Sequence, residues 1–277
     1  MSLFETLAFA ENQNIVIIVQ ARMSSTRFPN KIMKTVLDEP VLFRQLERIA
    51  AIQHSVQLVV ATSQQPEDDM ILKACQEREY ACMRGNLNDL LDRHYQIAKY
   101  LKADTVIKIP SDCPLIDTDV IDQTISFYLE NINKYDFVSN LHPATFPDGN
   151  DVEIMTFDCL ERTWHEATKQ LEREHTTPYI WENSDKFRCA NVPWETGLDY
   201  SMSHRFTLDY KEDLDFIRAV YEKLYPRNPN FSLSDILELL DEHPEIYEIN
   251  AQYAGVNWYR NHLDELKTVG ASNTKII

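Results

Sequence analysis

Short β-branched runs that alternate with longer stretches of helical spacing constrain this chain more than any other feature of it. Ile15–Val19, Val56–Ala61, Thr105–Ile109 and Phe137–Ser139 have the length and composition of buried strands. Between the first two, "PVLFRQLERIAAI" places Val41, Leu42, Gln45, Leu46 and Ile49 on one side of a helix. Between the second and third lie "PEDDMILKACQER", with Pro66 suited to a first helical turn, and "LNDLLDRHYQIAKYLKA", an amphipathic helix. A strand, helix, strand order repeated in this way predicts an α/β fold, a doubly wound parallel sheet covered by helices.

Beyond Asn140 the texture changes. "LHPATFPDGND" carries two prolines and an Asp-Gly turn signal, "DVEIMTF" reads as a strand, residues 159–183 as helical, and "KFRCANVPW" and "RFTLDY" as further strands. Residues 212–241 read as helical with a break near Pro226. A chain of 277 residues is therefore expected to form a single domain over 14–267, with a C-terminal helical part at about 212–267. Residues 1–13 are expected to be an N-terminal extension and 268–277 a flexible tail.

Charge excludes some partners. Lysine and arginine number 27 against 44 acids, a net charge of −17, so neither nucleic acid nor an anionic membrane surface is expected to bind. The longest apolar run, Ile15–Val19, is far short of the roughly 20 residues of a membrane span. The first residues lack the basic start of a secretory signal, and the expectation is a cytoplasmic protein. Five widely spaced cysteines without a C-x-x-C pair argue against a zinc site or a disulfide framework.

One segment runs against the acidity. From Ala21 to Arg48 there are six cations against three acids, and Arg22, Arg27 and Lys31 lie in the loop that leaves the first strand. In an open α/β sheet the ligand crevice lies beyond the carboxyl ends of the strands. Phosphate there is usually held by glycine-rich backbone, but all five glycines (Gly85, Gly149, Gly197, Gly255 and Gly270) lie beyond residue 80. A phosphate site in this loop has to take its charge from side chains. Position and charge alone leave a solvated basic loop open as the alternative.

Two acids stand at other strand ends. Asp112 in "IKIPSDCPLID" follows the third run and would face the same crevice, as a ligand of a hard cation such as Mg²⁺ does. Asp209 in "RFTLDYKEDLDF" is its candidate partner, with a helix N-cap as the alternative, while Asp117 and Asp119 are placed to cap the helix near Val120. Arg173 and His175 in "EREHTTPYIW", and Arg205, are the groups available to an anionic substrate.

"QARMSSTRFPNK" resembles the signature that opens the cytidylyltransferases activating acidic sugars. The agreement continues in order through "VVATS", "RGNLNDLLDRHYQ", "PSDCPLIDTDVID", "DFVSN", "FPDGNDVEI", "EREHTTPYI" and "RFTLDYKEDLDFI", over roughly residues 15–220. The chain is similar to the spore coat polysaccharide biosynthesis, SpsF-like, branch and to the CMP-KDO and acylneuraminate cytidylyltransferases. The resemblance implies a Rossmann-like, GT-A-like nucleotidyltransferase fold with a small dimerisation element, hence a homodimer. It implies reaction of CTP with a small sugar, acidic or nonulosonic, to give a CMP-sugar and pyrophosphate for surface or spore-coat polysaccharide. By matching positions, Ala21, Arg22 and Lys31 would contact the triphosphate with Arg27 supporting the loop, and Asp112 and Asp209 would hold Mg²⁺. Thr62, Ser63, Arg84, Gly85 and Asp89 would line the base and ribose pocket, and Arg173, His175 or Arg205 would meet the sugar carboxylate. Phe28 and Asn30 stand where the family usually has leucine and glycine; asparagine tolerates the positive φ such a turn requires. A glycosyltransferase would usually show D-x-D where this chain has "SDCP". A non-catalytic nucleotide-binding relative is the reading from another class.

Overall fold

The computed structural model describes residues 13–277. Its strands are β1 (Ile15–Gln20), β2 (Thr35–Val36), β3 (Glu39–Pro40), β4 (Gln57–Ser63), β5 (Ala81–Gly85), β6 (Thr105–Pro110), β7 (Phe137–Ser139), β8 (Glu153–Thr156) and β9 (Cys189–Asn191). Seven of them form one sheet in the order β5-β4-β1-β6-β8-β7-β9, and β2 pairs with β3 as a separate ribbon. The strands from β5 to β6 are parallel; β8 runs antiparallel to both β6 and β7, and β9 is parallel to β7.

β1 lies at the centre of the parallel part because both its faces can be buried, as its unbroken apolar run requires. Ile15, Ile17 and Val19 pack into a layer with Leu42, Leu46 and Ile49 of helix α1 (Val41–Ala50). Val16 and Ile18 face the opposite way, against Leu91 and Tyr95 of helix α3 (Leu90–Tyr100). Each such side chain removed from water contributes roughly 1.5–3 kcal/mol. The remaining helices are α2 (Asp69–Glu77), α4 (Thr118–Glu130), α5 (Phe157–Glu166), α6 (Gln170–His175), α7 (Pro178–Trp181), α8 (Lys211–Leu224), α9 (Leu233–Glu242) and α10 (Pro244–Tyr247). Asp117 caps α4 by accepting from the N–H groups of Asp119 and Val120. Among the described residues no helix is long and apolar enough to cross a membrane, and all five cysteines are free.

Two local expectations need correction, and one strand lies where none is expected. "ACMRG" forms the edge strand β5, which carries no β-branched residue to announce it. "RFTLDY" is not a strand: its N–H groups go to scattered acceptors, Phe206 to the Asp148 carbonyl (2.7 Å), Leu208 to the Asp112 carbonyl (2.8 Å) and Asp209 to the Asp213 carboxylate (2.8 Å). The last residues fold back rather than trailing away, since Thr274 is buried and the Lys275 N–H reaches the Gly255 carbonyl at 2.6 Å.

Candidate active site

A cleft of about 790 Å³ opens where the chain leaves the carboxyl ends of β1 and β6. The loop after β1 is held at both ends by ordinary peptide bonding rather than by glycine. The Ala21 N–H donates to the Ala61 carbonyl (2.9 Å), and Asn30 closes the loop onto the Met23 carbonyl (3.1 Å). Asn30 sits in the left-handed region at φ 59°, ψ 23°, the conformation expected where glycine is replaced. Buried Asp68 fastens the base of the loop by accepting from Met23 N–H (2.7 Å), Ser63 N–H (3.2 Å) and the Ser63 hydroxyl.

Lys31 is the hub. Its ammonium donates to Asp112 Oδ2 at 2.7 Å, Asp209 Oδ1 at 2.9 Å and the Leu208 carbonyl at 2.6 Å. The two carboxylates come together because Leu208 N–H and the Thr207 hydroxyl both donate to the Asp112 carbonyl, at 2.8 and 3.0 Å, pinning the second segment to the first. Gly149, at φ 107°, permits the neighbouring loop to close on this segment: a Cβ there would lie 2.7 Å from the Phe206 carbonyl carbon. Asp209 also takes Arg27 at 2.6 Å and Arg205 at 3.1 Å, and it does not cap α8; Asp213 does, by accepting from the N–H of Asp209 and of Tyr210.

These contacts set the titration of the cluster. Burial pulls the Lys31 ammonium down, but the charges of Asp112 and Asp209 outweigh it and hold its pKa above the usual lysine value. Burial likewise pushes Asp209 up, yet Lys31, Arg27 and Arg205 drive it well below the carboxylate range. Asp151, missed in the sequence beyond its place in a turn-rich stretch, lines the same cleft, and burial and then Asp112 raise it to about 6. Burial keeps His142 and His175, both in the cleft wall, at about 4 and 3, so they are neutral near pH 7.

The other residues singled out in the sequence divide by what they touch. Arg22 is exposed, lines the cleft and makes no ion pair with any described residue. Ala21, Arg27, Lys31, Asp112, Asp209 and His175 line it as well. Arg205 does not: its guanidinium is fully buried between Asp148, Asp209 and Asp213, and its position makes it a brace for Asp209 rather than a contact for a sugar. Arg173 is bonded to Asp89 (2.6 Å) and to the Trp164 carbonyl (2.7 Å), and neither Arg173 nor Asp89 reaches the cleft. Thr62 and Ser63 are buried beneath the loop, and Arg84 is tied to the Ser63 and Gln65 carbonyls (2.7 and 2.8 Å) and to Asp69. Gly85 acts at one remove, giving room to Arg93, whose Cγ would be 2.7 Å from a Cβ at that position; Arg93 lines the cleft.

Two carboxylates already converge on one positive centre, the Lys31 ammonium, with hard oxygen donors at 2.7 and 2.9 Å. Mg²⁺ commonly takes one or two carboxylates and completes its shell with water and substrate phosphates, so the pair fits. Among the described residues no group of three or more acidic, histidine or cysteine side chains is assembled for a metal, so a cation here would need oxygens from a nucleotide.

Residues 16–248 match a family model described as Cytidylyltransferase. The fold is similar to that of a solved cytidylyltransferase from Leptospira borgpetersenii serovar Hardjo-bovis, with a TM-score of 0.80 and 32% identity over 85% of this chain and 97% of that one. The spore coat polysaccharide biosynthesis protein SpsF of Bacillus subtilis is 28% identical over 84% of this chain and 96% of its own. A CMP:2-keto-3-deoxy-manno-octonic acid synthetase solved with CTP shares the fold at a TM-score of 0.57 and 15% identity, covering 76% of this chain and 99% of that one.

Proposed function

This chain belongs to the cytidylyltransferase family, and we propose that it transfers CMP from CTP to a hydroxyl of a sugar acid, with release of pyrophosphate. The observation that carries this reading is the meeting of Asp112 and Asp209 on Lys31 beside Arg22, which pairs with no acid among the described residues. In-line attack on the α-phosphorus brings an oxygen nucleophile onto a polyanion, and the protein's task is mainly to neutralise and position. Arg22 and Lys31 take the charge that accumulates on departing pyrophosphate, and Arg27 holds Asp209 in place when Lys31 turns toward the phosphates. Asp112 and Asp209 would hold Mg²⁺, which when bound neutralises phosphate charge and acidifies a hydroxyl. Asp151 is the carboxylate available to the proton of the attacking hydroxyl, since it accepts only from the Gly149 N–H (3.2 Å) and pairs with no cation among the described residues.

Likeness to SpsF supports surface or spore-coat polysaccharide as the destination of the product, and the family supports a homodimer, which light scattering checks. The function itself is tested by incubating the protein with CTP, Mg²⁺ and a panel of sugar acids and measuring pyrophosphate. Release with at least one acid is expected; CTP binding with no pyrophosphate from any of them would leave a nucleotide-binding relative without turnover.

A further inference from the structure

The family match ends at residue 248, yet residues 255–273 supply one wall of the cleft. Several bonds hold this wall rigidly. The N–H groups of Lys267 and Thr268 donate to the Glu182 carboxylate at 2.7 and 2.8 Å, and Asn257 N–H donates to the buried Thr274 hydroxyl at 3.0 Å. Trp258 stacks on His175 with ring centres 3.8 Å apart and planes at 13°, and Tyr259 meets the edge of Trp181.

The wall adjoins the base of the basic loop, since Tyr210, which accepts from Arg260 of the wall, lies with its ring centre 5.9 Å from the Arg27 guanidinium. In sheet order the loop follows β1, Asp112 follows β6, and the remaining lining comes from the segments around β8, β7 and β9 and from α6. From Asn140 onward the cleft contains no lysine or arginine among its described lining residues, while Asp148, Asp151, Glu153 and Glu174 are there. Lys108, on β6, is already paired to Glu153. A sugar carboxylate meets no cation among the described lining residues from Asn140 onward, and Arg260 of the wall, which is not one of them, donates to the Tyr210 hydroxyl at 3.3 Å. Hydroxyl and amide N–H groups do find acceptors there, and aromatic surface meets the C–H face of a ring.

We propose that residues 255–273 contact the uncharged, hydroxyl-bearing part of the acceptor sugar, with Trp258 as its contact surface. This rests on the transfer reading above and adds to it the part of the chain that selects the acceptor. Trp258→Ala should raise the acceptor KM about tenfold, the loss of one ring contact, while kcat and the CTP Kd from calorimetry change less than about twofold. Trp258→Phe should restore most of the loss. With an acceptor lacking its distal substituents, wild type and Trp258→Ala should converge. Ser272→Trp, at an exposed position of the same wall, should also raise the acceptor KM and guards against a folding artefact at Trp258. An unchanged acceptor KM in both variants, or an equal loss of CTP affinity, overturns this inference alone. Absence of pyrophosphate from wild type with every acid removes the transfer reading, and this inference with it.

Discussion

Asp209→Asn and Asp112→Asn should both abolish most turnover, yet they should differ in stability. Asp209 is 11% exposed and accepts from Arg27, Lys31 and Arg205, so a neutral amide there leaves three cations around one uncharged group. Breaking a buried pair costs about 3–5 kcal/mol. The low end, about 3 kcal/mol, applies here because Lys31 keeps Asp112, and Arg205 keeps Asp148 and Asp213. Asp112 is 27% exposed and has one cation, so its substitution should cost about 1 kcal/mol or less. At roughly 2–4 °C per kcal/mol, Tm should fall by about 6–12 °C for Asp209→Asn and about 2–4 °C for Asp112→Asn. Because the folded-state pKa of Asp209 is depressed, its stabilisation is complete above the unfolded carboxylate pKa near 4 and lost as pH falls through the lower folded value. The Tm gap between wild type and Asp209→Asn should therefore narrow only below about pH 4. Calorimetry at pH 7.5 and in acid measures both effects, with pyrophosphate release assayed well below either Tm. Equal Tm losses in the two variants, or a gap that narrows already between pH 7 and 5, would refute the three-cation account of Asp209.

Arg22→Ala should weaken CTP about tenfold with no change in Tm, because the side chain is exposed and unpaired among the described residues; calorimetric titration and a thermal melt check the two halves separately. Burial holds His94, His142 and His175 at about 3, 4 and 3, so the stability they contribute is complete above the unfolded value near 6.5 and falls as pH drops below it. Buried Asp151, raised to about 6, works in the opposite direction over the same range, so the test is the difference: between pH 7.5 and 5.5 urea unfolding should show His94→Gln losing about 1 kcal/mol less than wild type.

The sheet was legible where strands are buried on both faces. Ile15–Val19 is a continuous apolar run and Thr105–Ile109 is apolar but for Thr105 and Lys108, the latter buried against Glu153, because helices cover these strands on each side, and runs of that kind have few other uses. β5 was not legible, since an edge strand of half-buried residues needs no β-branched side chains. At the site, Arg22, Lys31 and Asp112 are legible as charges that leave the ends of β1 and β6, whereas Asp209 is legible only from an expected strand that does not form. Position at a strand end does not show which charges are already paired. Arg173, Asp89, Arg84 and Arg205 have the same sequence signature as ligand-binding residues, and their partners lie 15 to 84 positions away, or buried four and eight along. "GVNWYRNH" gave no signal because a stacking surface needs ring positions in space, which one tryptophan in a loop does not reveal.

Glycine-rich phosphate loops offer backbone N–H groups as neutral donors that carry no counter-ions of their own. Here the Met23 and Ser63 N–H groups are taken by Asp68, and two of the three loop cations are paired with Asp112 and Asp209. Among the described residues, two carboxylates against Lys31 and Arg27 leave Arg22 as the uncompensated charge of the loop. On the transfer reading proposed above, CTP arriving alone would meet those carboxylates and have to separate them from their partners. With a divalent cation held by Asp112 and Asp209, Lys31 would be free for phosphate, so the two should bind together far better than either singly. By linkage, the affinity each gains from the other is the same factor. Calorimetric titration of CTP with Mg²⁺ and with EDTA should therefore give Kd values at least about tenfold apart, a coupling of the usual allosteric size. Asp112→Asn should shrink that ratio, by removing one of the two acids that CTP alone must face. A CTP Kd that is the same with EDTA as with Mg²⁺ would mean that the Lys31 pairs do not open for the nucleotide, and that the loop binds phosphate through Arg22 without exchanging its counter-ions.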